Sequence, residues 1–144
     1  MPLIKKNPVV SESAHTLIPV IFLYALYVQF HSDFGPGGGF QAGVIFATGP
    51  IIHGLVYGFR LTRFFLPPIA TEMLACLGLI IYIGVGFAGM AAGHHFLDYS
   101  GFAAHAADGE HLGIFLVELG VAITLLGVIT SLLYTFTAKS QGTE

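Results

Sequence analysis

Four stretches of the chain, about Ala14 to Phe30, Gly38 to Phe59, Ile69 to Ala92 and Leu112 to Phe136, are apolar and carry at most one acid each. Each is long enough to cross a hydrocarbon core of roughly 30 Å as a helix. In lipid every backbone N–H and C=O must be satisfied within its own segment, so the pattern predicts an all-α integral membrane protein with four transmembrane helices. All of residues 1–144 belong to this single domain, with approximate spans 14–30, 38–59, 69–92 and 112–136. Lys5 and Lys6 precede the first stretch as they would in a signal peptide, but it contains Tyr24, Tyr27 and Gln29 and no A-x-A-like site follows. It reads as a retained helix.

The residues between the stretches orient them. All five basic residues fall on one side of a four-span arrangement: Lys5 and Lys6 before the first span, Arg60 and Arg63 after the second, Lys139 after the fourth. The positive-inside rule makes that side cytoplasmic, with both termini inside. The outer side receives Asp33, Asp98, Asp108 and Glu110. Tyr27, Phe30, Tyr57, Phe59, Phe96, Tyr99 and Tyr134 stand where interfacial aromatic belts are expected. The 19-residue connection from Gly93 to His111 has room for a short surface or re-entrant segment.

Composition supports lipid as the solvent. Apolar residues make up 55% and charged residues 9% of the chain, against about 25% charged in soluble domains. The net charge is −3 and no basic cluster tracks a phosphate backbone, which argues against a nucleic-acid partner. Cys76 stands alone inside an apolar run and reads as a packing residue.

Small residues recur at helical spacing. Gly39, Gly43, Ala47, Pro50, Gly54 and Gly58 form one groove on the second span, Gly89 and Gly93 close the third, and Gly113, Gly120, Thr124, Gly127 and Ser131 line the fourth. Such faces let helix backbones approach closely. They close this chain's own bundle or receive helices of other subunits, and three such faces in so small a chain favour the second.

Polar groups inside the spans are the candidate chemistry. Glu118 lies six residues, roughly 9 Å, inside the outer end of the fourth span. A carboxylate at that depth has to be paired, hydrated or protonated. Glu72 is one turn inside the cytoplasmic end of the third span, with Arg60 and Arg63 near enough in sequence to pair with it, and His53 sits in the cytoplasmic half of the second. These three are candidates for a proton or cation path, weighed against an ion pair for Glu72 and a helix-to-helix hydrogen bond for His53. Gly49 and Pro50 interrupt the second span, since Pro50 cannot donate to the Phe46 carbonyl and a kink is expected. In the outer loop His94, His95, His105 and His111 are dense enough to suggest proton collection or a metal site, although their spacing fits no standard zinc pattern.

The most specific feature is the turn running from His31 to Gly43, which contains Pro36-Gly37-Gly38-Gly39-Phe40-Gln41. It lacks the G-K-[ST] ending of a phosphate loop and follows no strand. This turn between two membrane helices resembles the signature of the B-type member of Mrp-type (Mnh-type) multisubunit cation/proton antiporters. The Gly113 to Val121 stretch around Glu118 is similar to that family's last helix.

The resemblance implies a non-catalytic subunit of a secondary transporter in a prokaryotic cytoplasmic membrane. There the complex would exchange Na⁺ for H⁺ with no redox cofactor, and this chain would support assembly, coupling or part of an ion route. It further implies partner subunits of the A, C, D, E, F and G types, with lipid around them. Alternatives are the equivalent small subunit of a membrane-bound hydrogenase or other complex I-like oxidoreductase, and a haem-b anchor using His15 and His53.

Overall fold

The computed structural model describes residues 7–31, 37–103 and 105–141. Lys5, Lys6, Asp33 and Pro36 lie outside the described residues, as does the Lys139 side chain. Five helices follow one another: α1 (Pro8–Phe30), α2 (Gly39–Tyr57), α3 (Phe59–Phe65), α4 (Pro68–Ala91) and α5 (Ala106–Gln141). α1, α2, α4 and α5 are long and apolar enough to cross a membrane, so the four spans are borne out. α1 starts earlier than hydropathy suggests because Asn7 Oδ1 accepts from Val9 N at 3.1 Å and Pro8 occupies the first turn. An N-cap followed by proline satisfies helix-start requirements without any apolar residue.

α2 stops at Tyr57 because Gly58 takes φ +99°, a left-handed conformation that glycine adopts without strain. The chain then turns into the short α3, an element that hydropathy does not reveal. At the other end of the bundle, α5 begins inside the long connection, so Asp108, Glu110 and His111 sit on its first turns. The remaining loop folds back on the helices: Phe96 fills the notch at Gly86 and Tyr99 the notch at Gly113.

The long helices are arranged in the order α1, α2, α5, α4, with α5 packed between α2 and α4 and α1 touching it lightly. Small residues set both main contacts. Gly39 and Gly43 of α2 meet the α5 backbone at Glu118 and Ala122, while Gly78 of α4 meets Gly120 and Thr124. Gly127 lies against the main chain of Thr71 and Ala75. At these positions the glycine faces close the chain's own bundle, contrary to the expectation that they dock other subunits. A backbone-to-backbone approach leaves no room there for a foreign helix. Gly84 and Gly93, by contrast, have open space around them.

Several aromatics expected in interfacial belts pack inward instead. Tyr134 is buried, and Phe59 fills the notch at Gly54. Tyr57 Oη donates to the Ser11 carbonyl at 2.8 Å, tying α1 to α2. Tyr27 and Phe30 are exposed, as a belt requires.

Candidate functional site

Two features far apart in sequence, Gly38 and Gly39 at the end of the Gly-rich motif and Glu118 of α5, meet at the start of α2. Gly38 caps α2 with φ +138° and offers no side chain to the free N–H groups of the first turn. The Glu118 carboxylate lies over it: a Cβ on Gly38 would come within 3.1 Å of Glu118 Oε1 and 3.6 Å of Gln41 Oε1. A Cβ on the next residue, Gly39, would overlap the Glu118 carbonyl oxygen. Two consecutive glycines thus let the start of α2 rest on α5 at the acid.

The chemistry follows from this placement. The first N–H groups of a helix are unsatisfied and carry partial positive charge, a favourable place for an anionic side chain. Glu118 Oε2 is buried and has no hydrogen-bond partner among the described residues. A carboxylate oxygen left open in a low-dielectric site is a ready acceptor for a proton, a water or a cation. Just inside this level Val28, Ala42 and Ala122 close the α1–α2–α5 junction, and Phe30 stacks on Phe115 with centroids 5.4 Å apart.

Gln29 is the residue that hydropathy and charge sorting miss. It is 2% exposed, and neither its Oε1 nor its Nε2 has a hydrogen-bond partner among the described residues. In sequence Gln29 serves only to mark the first span as a retained helix. An amide on an otherwise apolar span, just before a Gly-rich turn, is the signal that could have found it.

His53 and Glu72 lie at the opposite end of the bundle and do not join Glu118. His53 Nδ1 shares a 2.8 Å hydrogen bond with Thr62 Oγ1, which fixes α3 against α2. A pocket of about 400 Å³ opens beside it, lined by Gly49, Pro50 and Phe22 among others. α2 continues through Pro50, and the Phe22 ring fills the notch at Gly49. His15 and His53 both line a second pocket of about 340 Å³.

The expected pairing of Glu72 with Arg60 or Arg63 is not found among the described residues. Glu72 is exposed on α4, while Arg63 turns to α5: its Nη2 donates to the Tyr134 carbonyl at 2.9 Å and its guanidinium covers the Tyr134 ring at 5.2 Å. Tyr134 Oη in turn donates to the Leu66 carbonyl at 2.8 Å. The planar guanidinium finds a carbonyl and an aromatic face together on α5, a combination a carboxylate cannot offer.

In the connection between α4 and α5 His94 pairs with Asp98 (Nδ1 to Oδ2, 3.7 Å), and Asp98 Oδ1 accepts from the Ser100 hydroxyl at 2.6 Å and amide at 3.2 Å. These bonds hold the Asp98 carboxyl below its ordinary range, with the Ser100 hydroxyl the largest cause. Among the described residues no three His, Cys, Asp or Glu side chains gather as a metal would require, so His94, His95, His105 and His111 are not brought into one set.

Comparison with known proteins identifies the chain's relatives. The model of the MnhB family, a domain related to the MnhB subunit of the Na⁺/H⁺ antiporter, matches residues 9–131. The B-type Na⁺/H⁺ antiporter subunit of Alkalihalophilus pseudofirmus is 30% identical over 134 residues, 85% of this chain and 92% of that protein. The B-type Na⁺/H⁺ antiporter subunit of Bacillus subtilis is 26% identical over 136 residues, 87% of this chain and 94% of that one.

Proposed function

The chain belongs to the MnhB family, and on that footing we propose that it is a non-catalytic subunit of a multisubunit Na⁺/H⁺ antiporter in which Glu118 forms part of the ion route. It is a multi-pass protein of the bacterial cell membrane. The antiporter's other subunits are its partners, and the A, C, D, E, F and G types are the set we propose. Exchange by such a complex needs no bound cofactor.

One observation carries the reading: the Glu118 carboxylate lies on the Gly-rich start of α2, and its Oε2 has no hydrogen-bond partner among the described residues. The positive end of α2 gives a negative charge at that depth a partner, and the open oxygen gives a proton or sodium ion a place to bind. The site faces outward in the orientation we propose, with Arg60 and Arg63 at the cytoplasmic end. From there Glu118 can take a proton from the outer face and pass it on as sodium moves the other way.

Replacing Glu118 with Gln in the intact complex tests the role. Normal complex abundance with impaired sodium-dependent proton exchange in membrane vesicles is the expected result. Normal exchange would remove Glu118 from the route.

A further inference from the structure

α3 packs on α2 and has little contact with α1, which leaves a groove open between α1 and α3. The two pockets at this end of the bundle make up the groove, since Ile18 and His53 line both. The larger, of about 400 Å³, runs past Phe22, Pro50, Phe65 and Leu66. The polar residues in its wall, His53 and Thr62, are bonded to each other at 2.8 Å, so the surface left is almost wholly hydrocarbon. The smaller, of about 340 Å³, has His15, Tyr57 and Leu61 in its wall and is the more polar of the two.

Polarity falls with depth along this groove. His15 precedes Phe22 by seven residues on α1, and Tyr57 follows Pro50 by seven on α2, roughly 10 Å in each case. The polar part therefore opens at the end of the bundle that carries α3, and the hydrocarbon part lies farther along both spans. A groove that is polar at its mouth and apolar within matches a phospholipid, with the headgroup at the mouth and an acyl chain inside.

α3 supplies the charge. Its Leu61, Phe64 and Phe65 are exposed hydrocarbon, and Arg60 beside Leu61 is exposed as well. A short helix of aromatic and basic residues suits the headgroup level of a bilayer, where each basic side chain favours anionic lipid. Arg63 is taken up by Tyr134, so Arg60 is the guanidinium of α3 that can meet a phosphate. Glu12, the acid nearest the mouth in sequence, is exposed on α1, which puts a phosphate on the α3 side. We propose that the groove holds one anionic phospholipid of the leaflet at the α3 end, its acyl chain along Ile18, Phe22 and Pro50 and its phosphate at Arg60. The lipid joins α3 to α1 where the chain's own side chains leave a gap, and it does not depend on the role proposed for Glu118.

Photocrosslinking of the intact antiporter complex in phosphatidylcholine vesicles tests the site. Two probes are compared as minor components, phosphatidylglycerol and phosphatidylcholine carrying the same diazirine acyl chain. In the wild type both should label Phe22 and Pro50, and phosphatidylglycerol should do so about fivefold more, equivalent to the roughly 1 kcal/mol that one basic side chain contributes at an anionic headgroup. Arg60→Gln should bring the two probes level, while Arg60→Lys should keep most of the preference. Ile18→Trp fills both parts of the groove and should reduce labelling by either probe to background. Where that variant fails to assemble, the smaller Ile18→Phe should lower it in part. No labelling at Phe22 and Pro50, as when a neighbouring subunit fills the groove, would overturn the proposal. So would equal labelling by the two probes in the wild type, a preference that survives Arg60→Gln, or labelling undiminished in the Ile18 variants.

Discussion

Gly39, the first residue of α2, meets the main-chain carbonyl of Glu118 on α5 so closely that a Cβ on Gly39 would take the oxygen's place. Gly38 and Gly39 are therefore a close-approach element at the start of α2. It brings the start of one membrane helix onto the backbone of another at the position of a half-buried acid.

Replacing Gly39 with Ala should force α2 away from α5 and destabilise the subunit by about 1–3 kcal/mol, the usual cost of overpacking. The check is the thermal stability of the purified complex. Gly84→Ala, at a position with open space around it, is the control. It should leave the subunit's own bundle intact, so a comparable loss in both variants would show that the Gly39 contact is not the cause.

At the other end of the bundle, Arg63 joins α3 to α5 through the Tyr134 carbonyl and ring. Arg63→Ala should lose about 1.5–3 kcal/mol, the range for hydrogen bonds to charged groups. Arg63→Lys should recover only part of it, because an ammonium cannot both stack and donate as a planar fork does. Proteolytic cleavage between Gly58 and Pro67 should quicken in the same order; equal protection in all three proteins would contradict the contact.

Thr62→Val keeps the shape of the side chain and deletes its hydroxyl, so it should free His53 Nδ1 and weaken the α2–α3 corner by about 1 kcal/mol. Imidazole NMR shifts of His53 report the change. An unaltered signal would show that the bond contributes nothing to His53.

The Asp98 loop should respond to acid. Its carboxyl is held below the ordinary carboxylate value by Ser100, so the folded loop binds its proton less readily than the unfolded chain does. That contribution is present above the unfolded value of about 4 and is lost as pH falls through the lower folded one. Hydrogen exchange at the Ser100 amide should accelerate below about pH 4 in excess of the intrinsic trend, and Asp98→Asn should remove the excess.

Hydropathy gives the outline because lipid imposes it: an apolar stretch of sufficient length has no choice but to be a helix. The four spans, the Gly-rich turn between the first two and the interest of Glu118 were all legible from residues 14–136 on those grounds. Spacing along single helices cannot say which helix fills which face. Only the tertiary structure placed Gly38 and Gly39 on Glu118, closed the Gly78, Gly120 and Gly127 faces within the bundle, turned Arg63 to Tyr134 and not to Glu72, and enclosed Gln29. Those outcomes depend on which backbones can touch and which polar atoms are left over once they do, and both are properties of the packed helices together.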